Sequence, residues 1–234
     1  MNATHRYHLG MKELDDTVGG LSGGTNVMLI GPPMSGKDAI LNTIMSSGLE
    51  SGEGVVFLTT KAPAELMLEN TFITHSSQNI GIIDCISKSL GISNSDTEQI
   101  KRVSSPVDLT GIGVRISQFI DEFMNRKKLN NMRLCINSLS TILMYSNLPT
   151  VFRFMHVYSG KVAATKALGI YVVEDGMHDE QTIATLKQLI NAVIEVKAEE
   201  DRYYLRLVGA TPRPTPWFEY EVVEDRAVIR GVRQ

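Results

Sequence analysis

The chain is poor in the residues that mark special environments. Its 234 residues include two cysteines, Cys85 and Cys135, and a single tryptophan, Trp217. Each cysteine lies in an apolar run and neither belongs to a C-x-x-C pair, so the expectation is two reduced core thiols rather than a disulfide framework or a thiolate metal site. Positive charge is not in excess: 23 Lys and Arg face 26 Asp and Glu, a net charge of -3. No global basic field therefore points to nucleic acid or an anionic membrane surface as a partner. No apolar run approaches the roughly 20 residues of a membrane span. The N-terminus is polar and lacks the apolar stretch of a secretory signal, so a cytoplasmic location is expected. Internal repeats and low-complexity tracts are also missing. What remains is an ordinary globular composition, 43% hydrophobic and 21% charged, at a length that suits one α/β domain over residues 1–234.

Strand and helix patterns alternate along the chain and then give way to strands. Residues 1–24 read as a polar lead-in with one helical turn around Met11 to Asp16. Asn26 to Ile30 is a brief apolar run, followed by a glycine and proline loop and a helical stretch from Lys37 to about Ser47. Val55 to Thr60 is rich in β-branched residues and reads as a strand, with a helix from Pro63 to Asn70 behind it. Ile80 to Ile86 is a third strand. The polar stretch Gly91 to Val107 reads as an exposed loop. Ile112, Ile116, Phe119, Ile120 and Phe123 give Val107 to Lys128 a helical period. Met132 to Ser138 is a strand, Leu148 to Leu168 a helix, Ile170 to Val173 a strand and Asp179 to Ile190 a helix. Residues 192–234 change character: Ala192 to Lys197, Tyr203 to Val208, Phe218 to Val223 and Ala227 to Arg230 read as consecutive strands. The pattern predicts a mainly parallel central sheet flanked by helices, with antiparallel C-terminal strands.

Gly31 to Asp38 reads GPPMSGKD, directly after a predicted strand and directly before a predicted helix. This is the context in which GxxxxGK followed by Ser or Thr binds phosphate. Gly31 and Gly36 free the backbone to turn its amides inward, with Pro32, Pro33, Met34 and Ser35 forming the loop between them. The helix start at Lys37, Asp38 and Ala39 adds the positive end of its dipole, and Lys37 adds a full charge for the terminal phosphates. ATP or ADP is the implied ligand. Asp38 departs from the pattern, standing where a hydroxyl normally holds Mg²⁺. A carboxylate is a good hard ligand, so Mg²⁺ is compatible with the site. Yet it also sets a negative charge beside phosphates, and two unit charges about 4 Å apart repel by about 4 kcal/mol at an effective dielectric near 20. Asp38 is also placed to pair with Lys37 in the empty loop. Weakened, strongly metal-dependent nucleotide binding is the expectation.

Gly10 to Lys37 runs GMKELDDTVGGLSGGTNVMLIGPPMSGK. With its Gly10, Leu14, Asp15, Gly19-Gly20 pair, Gly24 and phosphate loop, this segment resembles the opening of the KaiC-like ATPases of the RecA superfamily. GVVFLTTKAPAEL at Gly54 to Leu66 and RLCINSLS at Arg133 to Ser140 resemble that family's second strand, following helix start, and later strand. The resemblance covers nearly the whole chain in the same order. It implies a RecA-like P-loop fold, bound nucleotide and assembly with copies of itself or a protein partner.

The departures fall on catalytic positions. Where KaiC-like proteins end the second strand in glutamates that activate water, this chain has Thr59, Thr60 and Lys61. An ammonium has no lone pair with which to accept a proton. Asn137 stands in place of the aspartate that holds the Mg²⁺ shell, giving an amide oxygen without charge. The family's late Lys-x-Arg-Gly element, which reaches a neighbouring subunit's nucleotide, is matched by Arg206, Leu207, Val208 and Gly209, with one basic residue kept. Phosphoryl transfer relies on positioning and charge stabilisation, so losing several such groups costs orders of magnitude in rate. The favoured expectation is a nucleotide-binding regulatory or assembly component with impaired or absent hydrolysis. An unorthodox active ATPase coupled to DNA, motility or signalling, with Glu65 or Asp38 as the rebuilt carboxylate, is one alternative. A protein-binding scaffold with an empty loop is the other. Glu174-Asp175-Gly176 reads as a solvated turn rather than a metal or partner site, and His156 as a histidine without chemistry.

Overall fold

The computed structural model describes residues 5–69, 78–92 and 95–233. Its centre is a sheet of ten strands. The phosphate-loop strand β3 (Asn26–Gly31) lies in the interior of that sheet. On one side it pairs in parallel with β8 (Leu168–Glu174), followed by β7 (Met132–Asn137), β4 (Gly54–Thr59), β5 (Ile80–Asp84) and β6 (Ile100–Arg102). On its other side it pairs in parallel with β9 (Ala192–Glu199). Three antiparallel strands complete that edge: β10 (Arg202–Val208), β11 (Phe218–Val223) and β12 (Arg226–Val232).

Strands β3, β4, β5 and β7 are buried at every residue, as parallel strands covered on both faces must be. Alternation along β3 divides the core. Val27 and Leu29 join the apolar cluster beneath α2 (Lys37–Glu50), whereas Met28 and Ile30 join the opposite one. That second layer holds α4 (Leu109–Ile120), α5 (Leu139–Tyr145), α6 (Leu148–Thr165) and α7 (Glu180–Lys187). Helix α3 (Ala64–Glu69), which follows β4, lies on the same side as α2, where Ala64, Met67 and Leu68 pack on the first cluster.

Several elements differ from the sequence expectation, each for a local reason. The N-terminal lead-in is folded: β1 (Arg6–Tyr7) and β2 (Leu21–Ser22) pair around α1 (Lys12–Val18). Tyr7, Leu9, Met11 and Leu14 are buried, and the Asp15 carboxylate accepts the amides of Leu9 at 2.7 Å and Gly10 at 2.9 Å. Four scattered apolar residues form no period, so only the tertiary contacts reveal this unit. The stretch expected as an exposed loop contains β6, and the helix expected to reach Asn70 is described only to Glu69. β6 escapes pattern reading because it is three residues long and its buried Arg102 is charged.

Helix α6 stops three residues short of the expected Leu168. Lys166 takes a left-handed conformation (φ 54) and turns the chain directly into β8, a reversal that glycine usually signals and lysine does not. The helix expected over Val107 to Lys128 is α4 capped by Asp108, whose side chain accepts the Gly111 amide at 2.8 Å, and then a π-helical turn over Asp121–Arg126. Asp179 caps α7 by accepting the Thr182 amide at 2.6 Å. No helix among the described residues is long and apolar enough to cross a membrane.

The C-terminal strands do more than extend an edge. The Ala227 amide donates to Thr43 Oγ1 on α2 at 2.8 Å, and Asn42 Nδ2 donates to the Asp225 carbonyl at 3.1 Å. The sheet therefore curls until its last hairpin rests on the helix that follows the phosphate loop.

Candidate functional site

The loop is built where the sequence places it, between β3 and α2. Gly31 ends the strand against β9 so closely that a Cβ there would lie 2.6 Å from Val196 Cβ. Pro32 is half-buried, Pro33 and Met34 project into solvent, and Ser35 is buried, its hydroxyl donating to the Pro32 carbonyl at 2.7 Å. Met34 takes φ 58 and is 93% exposed at the tip. Gly36 takes φ 74, where a side chain is strained, and a Cβ would lie 2.9 Å from Val222 Cγ2 of β11. The Tyr220 hydroxyl, also from β11, donates to the Ser35 carbonyl. The C-terminal sheet thus braces the loop from behind. Gly36 caps α2 with no side-chain hydrogen bond, so the first amides of the helix, at Lys37, Asp38 and Ala39, have no capping side chain.

Strand register gathers the other polar groups at the carboxyl ends of four neighbouring strands. Gly31 of β3 lies opposite Glu174 of β8, and Thr59 of β4 lies opposite Asn137 of β7. Backbone bonds continue the alignment past the strand ends: the Asp175 amide donates to the Gly31 carbonyl at 2.8 Å and the Thr60 amide to the Asn137 carbonyl at 2.9 Å. This is the end of an open α/β sheet at which ligands are held.

Five side chains meet there. Lys37, only 4% exposed, donates to the Pro32 carbonyl and lies 2.8 Å from Glu174 Oε2. Lys61 Nζ lies 3.2 Å and 3.3 Å from the two oxygens of Asp38 and 3.7 Å from Glu174 Oε1. Asn137 Nδ2 donates to Asp38 Oδ1 at 2.9 Å. The pairing of Asp38 with Lys37 that the sequence suggests is not formed. Lys61, arriving from the end of β4, takes Asp38 instead, and Glu174 takes Lys37. Two ammonium groups and two carboxylates leave the cluster neutral.

Glu174 is the member that sequence reasoning set aside. Its Glu-Asp-Gly context resembles a solvated turn, and its partner Lys37 opens a helix far away in the chain, so no local pattern could expose it. Of the other weighed residues, Glu65 faces away from the cluster's chemistry in an ion pair with the buried Arg102. Arg206 lies on β10, two strands from β3. It pairs with Glu195 at 2.7 Å and stacks 4.5 Å from the Trp217 ring. His156 is exposed on α6, and Cys85 and Cys135 are buried free thiols. Burial pushes both thiols above their usual range, which keeps them protonated and unreactive.

The oxygens of the cluster suit a hard divalent cation. Asn137 Oδ1 is buried and accepts no hydrogen bond, Glu174 Oε2 is buried with Lys37 as its close partner, and Asp38 adds an exposed carboxylate. Among the described residues no group of three or more His, Cys, Asp or Glu could hold a metal alone. A cation here would complete its shell from phosphate oxygens and water, as Mg²⁺ does.

The fold matches that of KaiC-like proteins. A KaiC-like protein of Pyrococcus horikoshii, PH0186, superposes with a TM-score of 0.70 at 15% identity, covering 97% of this chain and 100% of that one. The uncharacterized protein PH0321 of the same organism, solved in complex with an unknown peptide, gives a TM-score of 0.71 at 17% identity, covering 95% and 98%. Over residues 24–196 the chain matches the model of the family of unknown function DUF7504, and it belongs to that family. The match takes in the phosphate loop and every parallel strand, and ends within β9, before the antiparallel strands. No curated protein matches the sequence.

Proposed function

We propose that this chain is a KaiC-like nucleotide-binding protein that holds ATP or ADP on Gly31 to Ala39 and hydrolyses it poorly or not at all. The observation that carries the reading is the composition of the cluster around Lys37. A glycine-bounded loop, a helix N-terminus and a buried ammonium converge as phosphate binding requires. In the same cluster, the position that would activate water presents Lys61 and the one that would anchor Mg²⁺ presents Asn137.

Each residue has a defined part in this reading. The loop amides and Lys37 bind and orient the phosphates. Lys61 neutralises Asp38 and offers a second cation toward a terminal phosphate. Asp38 and Asn137 would hold Mg²⁺, whose chemistry is to bridge phosphate oxygens and offset their charge. No group of the cluster is both unpaired and basic enough to take a proton from water. Glu174 pairs with Lys37 in the empty loop, and with a phosphate on Lys37 it would face the divalent cation instead. Such a protein acts through occupancy, as a regulatory or assembly component that joins copies of itself or a protein partner in the cytoplasm.

Two measurements test the proposal. Titration with a fluorescent ATP analogue in Mg²⁺ is expected to saturate for the wild type and to fail for Lys37→Ala. Phosphate release followed for hours at high protein concentration is expected to match between the two. Release that depends on Lys37 would favour the active-ATPase alternative.

A further inference from the structure

We propose that Glu174 determines the ligand specificity of the loop, making it select a polyphosphate that arrives with a divalent cation over the free anion. The inference rests on the reading of Gly31 to Asp38 as a nucleotide loop. It moves the origin of metal dependence from Asp38, where the sequence puts it, to a residue on a different strand.

Burial and partners separate the two carboxylates. Asp38 is 59% exposed and its charge is already matched, by Lys61 at 3.2 Å and by the Asn137 amide at 2.9 Å. Glu174 is 14% exposed, and Oε2 lies 2.8 Å from Lys37 Nζ, its one close polar partner. Its second oxygen is 3.7 Å from Lys61. Glu174 therefore depends on Lys37 for its counter-charge, whereas Asp38 does not.

The backbone of Glu174 is held in place. Its amide is held by Ser140 Oγ at 2.9 Å, its Cα lies in register with Gly31, and the next amide is bonded to the Gly31 carbonyl at 2.8 Å. A phosphate that takes Lys37 therefore leaves the Glu174 carboxylate beside it, with Lys61 at 3.7 Å as its remaining cation. Repulsion between the two is strong at this range and weakly screened. A divalent cation removes the conflict, because Glu174 Oε2, once released by Lys37, and the unpartnered Asn137 Oδ1 are hard oxygens on neighbouring strands. Free phosphate or metal-free nucleotide has no such remedy and must displace Glu174 from Lys37.

The test is equilibrium titration of a fluorescent ADP analogue into wild type, Glu174→Gln, Asp38→Asn and Lys37→Ala, each in Mg²⁺ and in EDTA. Wild type is expected to weaken at least about tenfold in EDTA, and Glu174→Gln to bind in EDTA at least about tenfold tighter than wild type does there. Asp38→Asn is expected to lose less of the Mg²⁺ dependence than Glu174→Gln, because Asp38 keeps Lys61 as its counter-charge. Should Glu174→Gln not melt cooperatively, Glu174→Ala carries the same expectation. Lys37-dependent binding whose response to Mg²⁺ survives in the Glu174 variant, or is lost at least as fully in Asp38→Asn, overturns this inference alone. Wild-type protein that binds no analogue in either buffer, or binds it equally after Lys37→Ala, overturns the nucleotide reading as well.

Discussion

Gly36 shows how much of the site rests on single residues. Its left-handed backbone and the 2.9 Å approach of Val222 to the place of a Cβ exclude any side chain without a shift. Gly36→Ala should lower stability by about 1–2 kcal/mol and weaken nucleotide binding, read by urea unfolding and by titration. Unchanged values in both would mean that the loop has more freedom than this packing allows. Asp84, at the end of β5, gives a pH-dependent case. Burial raises its carboxyl, but the Ser87 hydroxyl and the amides of Ser87, Ala64 and Ile86 outweigh burial and hold it below the usual range. A depressed carboxyl contributes stability that is complete above its unfolded value and lost as pH falls through its folded one. The loss therefore begins near pH 4 and continues below it. Asp84→Asn should cost at least about 2 kcal/mol at neutral pH and flatten the fall in melting temperature between about pH 5 and 3. Equal acid sensitivity in both proteins would count against Asp84 as the responsible group.

At the scale of elements, the two clearest signals in the sequence were those that need only local chemistry. GPPMSGKD identifies a strand, a loop and a helix start without help from distant residues, and Ala192 to Arg230 alternates as strands do. The structure agrees on both. What stayed hidden depends on partners far away in the chain. Glu174 acquires its role only when β8 lies beside β3, and Arg102 becomes a core residue only beside Asp84 and Glu65. Tyr220 touches the loop only because the sheet curls. Arg133 is a further instance, fully buried on β7 and bound in a fork to Glu53 at 2.6 Å and 3.2 Å, with a third bond to the Ile44 carbonyl of α2. Arg133→Met leaves Glu53 buried and without this partner, at an expected cost of about 3–5 kcal/mol. The double variant with Glu53→Met should recover much of that loss, since a buried ion pair replaced whole by apolar groups is often neutral. Urea unfolding of the three proteins decides it, and a double variant no better than the single one would contradict the account.

For the whole molecule, residues 24–196 match the model of a family of unknown function and the fold is KaiC-like. The antiparallel strands beyond the matched region then lock onto α2 and the loop. Occupancy of the loop would therefore be felt by the C-terminal hairpin through Tyr220 and Val222. On that basis, hydrogen exchange at β11 should slow when MgADP is added to the wild type and stay unchanged for Lys37→Ala. The central claim, a phosphate cradle without hydrolysis, meets its most direct test when MgATP is titrated calorimetrically into wild type and Lys37→Ala and the nucleotide is recovered for chromatography. The account predicts saturable heat for wild type, none for Lys37→Ala, and ATP recovered intact from both. Binding that ignores Lys37, or ADP formed only when Lys37 is present, would contradict it.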